Sequence, residues 1–312
     1  MIYVTQGHED SIALEVFFKS LLLLPKNSLN EFCLVANKKV LEKNLKDLSY
    51  DFSINDNFLN LFDRKLAISE VNSNISDSSF FSIKQSLEVI TKDDVLVTLP
   101  TSKDKFIENG KQFAGHTDYF RHVYPEHPIS MNFVSEYEKI TLLTDHVPLV
   151  KVPDELKTNN FGKNIAEAIN QYNRFFQNQI KKVLICGINP HAGESGLIGS
   201  EDSIIEDGIK KLRTQFPQIE FSGPLPGDTI LLGKNDQQST LYVYTFHDQA
   251  LSSFKSRNRF IGVNISFGLP FPRLSVDHGT AKTIYGKSIA NPLGALYVQK
   301  LAIQFNQKLS HE

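Results

Sequence analysis

Tryptophan is missing from this 312-residue chain, and cysteine occurs twice. Cys33 and Cys186 each lie inside an apolar, β-like run, where they read as free buried thiols rather than a disulfide or a zinc pair. A disulfide scaffold is thereby excluded, and a reducing compartment is expected. Charge of one sign is also lacking: 33 Lys and Arg face 35 Asp and Glu, for a formal net charge of −2. A near-neutral balance leaves no electrostatic footprint for nucleic acid or an anionic membrane. The expected partners are small molecules and copies of the same chain. No apolar run can span a bilayer, because the most apolar early stretch, residues 12–24, is interrupted by Glu15 and Lys19. It reads as an amphipathic helix, with no signal peptide and a cytoplasmic location expected. Repeats, low-complexity linkers and a GxGxxG fingerprint are absent too.

What remains is a soluble α/β pattern, longer than one core usually serves, so two domains are expected. Ile2 to Thr5 reads as a strand, residues 12–24 as a helix, Glu31 to Val35 as a strand and Lys38 to Leu48 as a helix. Asn55 to Ser78 is polar and weakly patterned. Ser79 to Thr91 has helical spacing, and Asp94 to Pro100 reads as a buried strand ended by proline. Thr101-Ser102-Lys103 looks like a polar helix start, and Asp118 favours the start of another. Residues 129–133, 139–143 and 147–150 are short β candidates, and 160–179 is a long amphipathic helix. The strand Val183 to Ile185 precedes an acidic helix near Ser200 and a rigid turn at 223–229. Strands at 241–246 and 262–267 and a terminal helix at 291–305 complete the alternation.

Three apolar runs end in loops rich in chemistry. Cys186-Gly187-Ile188-Asn189-Pro190-His191-Ala192-Gly193-Glu194 follows Val183 to Ile185, Thr144-Asp145-His146 follows Ile140 to Leu143, and His247-Asp248-Gln249 follows Leu241 to Phe246. Ligands of open α/β sheets collect beyond the carboxyl ends of strands. His146, His191 and His247 are therefore a ligand set of the right type and number for a divalent metal with an open position. Taken singly, each histidine also fits a structural role. Asp145, Glu194 and Asp248 are neighbours that could orient the rings. Asp228, after a glycine, lies near the same presumed edge. A second set follows the third histidine: Lys255, Asn264 and Arg273. Arg273 stands among apolar residues, where a guanidinium needs an anion, either a structural carboxylate or a substrate phosphate. Gly286-Lys287-Ser288 suggests a P-loop, but Ala281 stands where that motif requires glycine and no strand runs into it.

Together these stretches resemble the 4-hydroxythreonine-4-phosphate dehydrogenase family of vitamin B6 biosynthesis. The resemblance is carried by Thr98-Leu99-Pro100, Gly115-His116-Thr117, His146-Val147-Pro148-Leu149, Asn189-Pro190-His191-Ala192-Gly193-Glu194, Gly223-Pro224-Leu225-Pro226 with Asp228, His247-Asp248-Gln249, Gly262-Val263-Asn264 and Ser275-Val276-Asp277-His278-Gly279-Thr280-Ala281. It implies His146, His191 and His247 as metal ligands, and His116, Thr117, Lys255, Asn264 and Arg273 around a phosphorylated substrate. His278, Gly279 and Asn291 fall in a stretch similar to the adenosine-binding loop of isopropylmalate dehydrogenases, which gives NAD or NADP a place without a Rossmann motif. The implied fold is the two-domain isocitrate/isopropylmalate dehydrogenase-like one: three-layer α/β/α with mostly parallel sheets. A discontinuous domain of 1–115 plus 272–312 is expected around a central domain of 116–271 that carries metal and dimer contacts.

The implied reaction is NAD(P)-dependent oxidation and decarboxylation of 4-phosphohydroxy-L-threonine to 3-amino-2-oxopropyl phosphate. One divalent ion, zinc, magnesium or cobalt, is implied at a site built across a homodimer interface. Asp248 and Asp228 are the candidates for the base, by position. Two stretches depart from the family. The opening loop, Gly7-His8-Glu9-Asp10-Ser11-Ile12-Ala13-Leu14-Glu15, keeps only Gly7, Ile12 and Glu15 of a Gly- and Pro-rich pattern. Ser256 to Ile261 replaces a Gly-rich approach and is expected to add two cations, Arg257 and Arg259, beside the substrate. The alternatives are a sister dehydrogenase acting on another phosphorylated hydroxy acid, and a non-catalytic metabolite-binding homologue.

Overall fold

A computed structural model describes residues 1–158, 161–233 and 235–312. They form two compact units, Met1–Pro125 with Leu269–Glu312, and Glu126–Gly268. The chain thus changes unit at 125/126 and 268/269, where the sequence reading had 115/116 and 271/272. Residues 113–123 stay with the first unit because Phe113 and Phe120 are buried there and Tyr119 packs edge-on against Phe80 and Phe113, 4.9 and 5.2 Å between ring centres.

The first unit opens β1 (Ile2–Thr5), α1 (Ala13–Leu21), β2 (Phe32–Ala36), α2 (Lys38–Asp47). Asn37 caps α2, its side chain accepting from the amides of Lys39 and Val40. α1 stops at Leu21, short of the expected Leu24; Pro25 has no N–H to continue the helix, and the Arg64 guanidinium takes the free carbonyls of Leu21, Leu22 and Leu24 at its end. The weakly patterned region is an antiparallel meander, β3 (Phe52–Asn55), β4 (Phe58–Leu61) and β5 (Arg64–Glu70). Its tight turns place Asp56, Phe62 and Asp63 in left-handed backbone. Neither turn carries a glycine, which removed the usual hairpin signal. α3 (Ser78–Val89) and β6 (Val95–Thr98) follow as expected. The expected helix at 101 is a single 3-10 turn, Lys103–Lys105, leading into the hairpin β7 (Ile107–Glu108) and β8 (Lys111–Gln112). α4 (His116–Val123) comes next, with the Asp118 carboxylate accepting from the Ala114 amide at 2.8 Å.

The second unit contains β9 (Ser130–Val134), β10 (Lys139–Leu142), α5 (Val152–Thr158), α6 (Phe161–Phe175), β11 (Lys182–Cys186), α7 (Ser203–Gln215), β12 (Glu220–Leu225), β13 (Thr240–Tyr244), α8 (His247–Asn258) and β14 (Val263–Phe267). Two expectations change. Residues 147–150 are not a strand, since Pro148 leads into the 3-10 turn Leu149–Lys151. Residues 223–225, read as a turn, finish the edge strand β12. The long helix expected from Asn160 begins at Phe161 among the described residues, Asn160 lying outside them, and buries Ile165, Ala168, Ile169, Tyr172 and Phe175 along one face. The sheet runs β12-β11-β13-β10-β9-β14. Its first four strands are mutually parallel, while β9 is antiparallel to both neighbours.

The chain returns to the first unit as β15 (Arg273–Val276) and α9 (Leu293–Ser310). The first unit's sheet is ordered β15-β6-β1-β2-β5-β4-β3, with parallel pairing from β15 through β5. α9 packs on α1 and against β1, β6 and β15, and α3 lies against β1 and β2. Every residue of β6, β10, β13 and β15 is buried, which requires helices on both faces of a parallel sheet. The fold is the three-layer α/β/α class expected from the sequence.

Candidate active site

Parallel pairing puts the carboxyl ends of β12, β11, β13 and β10 at one edge of the second unit's sheet. The register is close to level: Lys182 pairs with both Glu220 and Thr240, and Leu142 with Tyr244. Neighbouring strands lie about 4.8 Å apart, so residues far apart in sequence gather there: Asp228 after β12, His191 after β11, His247 after β13 and His146 after β10. The imidazoles of His146 and His247 face each other at 5.7 Å between centres, 37° apart. Asp248 lies 2.7 Å from His247 Nδ1, holding the ring so that Nε2 is left for another partner. Asp145 accepts from the His146 amide at 2.6 Å and stands 3.9 Å from its Nδ1. Two imidazoles sharing a zinc-sized ion, with metal–nitrogen distances of about 2.0–2.1 Å, bring their ring centres to about 5 Å. The 5.7 Å spacing of the pair is compatible with such an ion.

His191 does not complete that pair within one chain: among the described residues no three His, Cys, Asp or Glu side chains are grouped closely enough to hold a metal. Its ring is exposed, on a loop where His191, Ala192, Gly193, Glu194 and Ser195 all have positive φ, from 44° to 77°. Each non-glycine residue in that conformation costs about 1–2 kcal/mol. Cys186, at the root of the loop, is no nucleophile. Burial first, then the charges of Asp202 and Asp228, push its thiol up to about 12.

The first unit gathers a different chemistry. Arg273 is 3% exposed; its Nε donates to Thr98 Oγ1 at 2.9 Å, and its guanidinium carbon lies 5.7 Å from the centre of the Phe120 ring. Burial pushes it down to about 9, still charged at neutral pH. His116 packs edge-on to Phe106 at 4.8 Å and against Phe120 at 6.3 Å. Burial, and then the Arg273 charge, hold its imidazole well below the ordinary histidine range. Its Nε2 is buried with no hydrogen-bond partner. Thr117, buried, shares the first turn of α4, where free backbone amides favour an anion. A buried cation, a neutral imidazole with an unused nitrogen and a helix N-terminus suit a phosphate. In the second unit, Asn264 on β14 likewise has a buried Oδ1 without a partner, and Lys255 is exposed on α8.

The third constellation is the loop ahead of α9. His278 Nδ1 lies 3.0 Å from the Gly279 carbonyl, Thr280 accepts from the Ile12 amide at 3.1 Å, and Asn291 accepts from the Leu293 amide at 3.0 Å at the head of α9. α1 braces this loop. Glu15, 2% exposed, accepts from the Ala290 amide at 2.8 Å, and Lys19 donates to Glu15 and to the Ser288 carbonyl at 2.7 and 2.8 Å. On the other side of α1, the opening loop turns at Gly7 (φ 74°), where a Cβ would meet that of Ala13 at 2.6 Å, so no side chain fits.

A family model described as "Pyridoxal phosphate biosynthetic protein PdxA" matches residues 28–302. The chain belongs to the PdxA family. It is 33% identical over 315 residues to the 4-hydroxythreonine-4-phosphate dehydrogenase of Sulfurihydrogenibium, covering 96% of both chains. Among solved structures it is similar to the 4-hydroxythreonine-4-phosphate dehydrogenase of Klebsiella pneumoniae, at 25% identity and a TM-score of 0.72 over 98% of this chain and 99% of that one. The isocitrate dehydrogenase of Methylococcus capsulatus shares the fold, at 11% identity and a TM-score of 0.50 over 99% and 87% of the two chains.

Of the two cations expected from the segment Ser256 to Ile261, Arg257 forms an ion pair with Glu138, whose carboxylate is 2% exposed, and Asn258 donates to the same carboxylate at 2.6 Å. A buried carboxylate must be paired, and the end of α8 does so for the turn between β9 and β10. Sequence reasoning missed Glu15 and Lys19 as loop braces. The signal was present, since they are the two charges interrupting an apolar helix, four residues apart and so on one face.

Proposed function

We propose that this PdxA-family chain oxidises 4-phosphohydroxy-L-threonine with NAD or NADP and one divalent metal ion, zinc, magnesium or cobalt, and that the product decarboxylates to 3-amino-2-oxopropyl phosphate. The observation that carries the reading is the facing pair His146 and His247, oriented by Asp248, on the same sheet edge as His191 and Asp228. The names of the similar dehydrogenases supply the substrate.

In this reading His146, His191 and His247 hold the metal. When bound, the ion would lower the pKa of the substrate hydroxyl while the nicotinamide accepts hydride. His116, Thr117 and Arg273, with Lys255 and Asn264, bind the phosphorylated substrate. His116, neutral, uses its free nitrogen without adding charge. The loop with His278, Gly279 and Asn291 takes the dinucleotide. Asp248, engaged with His247, orients that ring, which assigns proton removal to the exposed Asp228.

A second copy of the chain completes the site. The loops after β10, β11 and β12 carry exposed aliphatic residues beside the functional ones, Val150 at 81%, Leu197 at 85% and Leu232 at 78%. An apolar rim on a catalytic edge fits an interface better than open solvent. The proposed location is the cytoplasm, in keeping with free Cys33 and Cys186; among the described residues no helix is long and apolar enough to cross a membrane.

The test is reduction of NAD or NADP by purified, metal-replete protein given 4-phosphohydroxy-L-threonine, with His191→Ala as control. Turnover that disappears in the variant supports the reading. No turnover by a folded dimer that binds the substrate would sink it, in favour of a sister dehydrogenase or a metabolite-binding homologue.

A further inference from the structure

The loop that presents His191 has a backbone its own residues disfavour. Of the five consecutive left-handed residues, only Gly193 adopts that conformation without steric penalty. Local hydrogen bonds close the turn: the Ala192 amide to the Asn189 carbonyl at 3.0 Å and the Ile198 amide to the Gly193 carbonyl at 3.1 Å. Such bonds form equally well in right-handed turns and cannot select the hand. Something outside the turn must.

Asp202, just ahead of α7, is 4% exposed. Its Oδ1 accepts from the Ile188 amide at 2.7 Å, and its Oδ2 from the Asn189 amide at 3.3 Å and the Asn189 side-chain Nδ2 at 2.9 Å. Glu201 takes the same Nδ2 at 2.9 Å. A Cβ on Gly187 would come within 2.6 Å of Asp202 Oδ1, and one on Gly193 within 2.9 Å of Oδ2. One carboxylate therefore sits between the glycine where the chain leaves β11 and the glycine in the middle of the left-handed run. It binds the backbone of the two residues that lead into that run. A buried acceptor that satisfies three donors tolerates neither removal nor a donor in its place.

We infer that Asp202 is the positioning residue of this site: by gripping Ile188 and Asn189 it holds residues 191–195 in the left-handed turn and so sets where His191 is presented. It touches neither substrate nor metal. The consequence for metal affinity rests on the proposed role of His191; the consequence for the loop does not.

The variant is Asp202→Asn, which keeps the shape but turns an amide NH2 toward the Asn189 donors. Hydrogen exchange of the metal-free protein should speed up by about tenfold or more across residues 187–199 and stay unchanged in β11 and β13. Cobalt(II) titration, followed by visible absorption, should show affinity falling about 10–100-fold, the range for groups that orient a metal ligand. Adding Ala192→Gly to Asp202→Asn should restore part of that affinity, because glycine needs no clamp to stay left-handed. A structural contact elsewhere would not be rescued this way. Unchanged exchange in 187–199, or faster exchange with cobalt affinity within about twofold of wild type, overturns the inference. If Asp202→Asn fails to fold, Asn189→Ala removes the side-chain bonds without adding a donor. It should give the same localised exchange pattern at lower amplitude, and a flat profile overturns the inference. If the wild-type protein binds no cobalt, the metal reading fails, and the exchange profile alone decides the role of Asp202.

Discussion

The loop after β11 and the loop ahead of α9 are each held by a buried acid, Asp202 in the second unit and Glu15 in the first, yet the two acids act on different backbones. Asp202 grips residues 13 and 14 positions away that lead straight into five successive left-handed residues. Glu15 reaches residue 290 from the opposite end of the chain, and its loop contains left-handed residues singly, at Ala281, Gly286 and Ser288. A loop strained throughout needs a clamp at its root. A loop with isolated turns needs only an anchor, and Glu15 can share that task with Lys19. A side chain that binds a metal must be placed within a few tenths of an ångström, whereas a dinucleotide spreads its contacts along a backbone.

The sharpest way to separate the two loops is to remove the histidine proposed as a metal ligand on the first of them. His191→Ala should lower kcat by more than about a hundredfold, since even the groups behind a metal ligand are worth about 10–100-fold. Binding of NAD by calorimetry should be unaffected; a matching loss of dinucleotide affinity would merge what the comparison separates. Next, Asp248→Ala should weaken cobalt binding about 10–100-fold by freeing the His247 ring, a change visible in the cobalt spectrum.

A smaller effect belongs to the first unit. Glu15→Gln keeps the size but loses the charged acceptor, and should destabilise that unit by about 1.5–3 kcal/mol in urea unfolding. Amide exchange at 286–290 should quicken while cobalt affinity stays at the wild-type value. If cobalt affinity falls as well, the loops are not independent.

The smallest effect is on pH. His116 is held well below the ordinary value of 6.5 by burial and then by Arg273, and burial lowers His8 in the same direction. Between the folded value and 6.5, the unfolded chain carries the extra proton. Stability is therefore fully present above about 6.5 and declines as pH falls through that value towards the folded one. Urea midpoints from pH 7.5 to 5.0 should drop, and His116→Gln should flatten the drop in part, leaving the His8 share. An unchanged slope in that variant would mean that His116 charges freely in the folded protein.

Much of this was legible in advance. β10, β11 and β13 stand out as apolar runs, and the loops behind them carry His146, His191, His247 and Asp248, so the residue types of the candidate edge could be named from the chain alone. The β3–β4–β5 meander could not, because its strands alternate weakly and its turns lack the glycines that mark hairpins. The pairing of Arg257 was illegible for a related reason. A cation's neighbours in sequence do not reveal that a buried Glu138 lies on an adjacent strand connection.

The sequence by itself determined the alternation of strands and helices, the family, and which residue types stand behind each strand, because periodicity and residue type are local properties. Only the tertiary structure decided that His146 and His247 face each other while His191 stands apart, that a carboxylate from the head of α7 clamps the His191 loop, and that Glu15 belongs to the loop ahead of α9. Those facts depend on strand order, register and burial, which arise when segments far apart in sequence share one sheet and one low-dielectric interior.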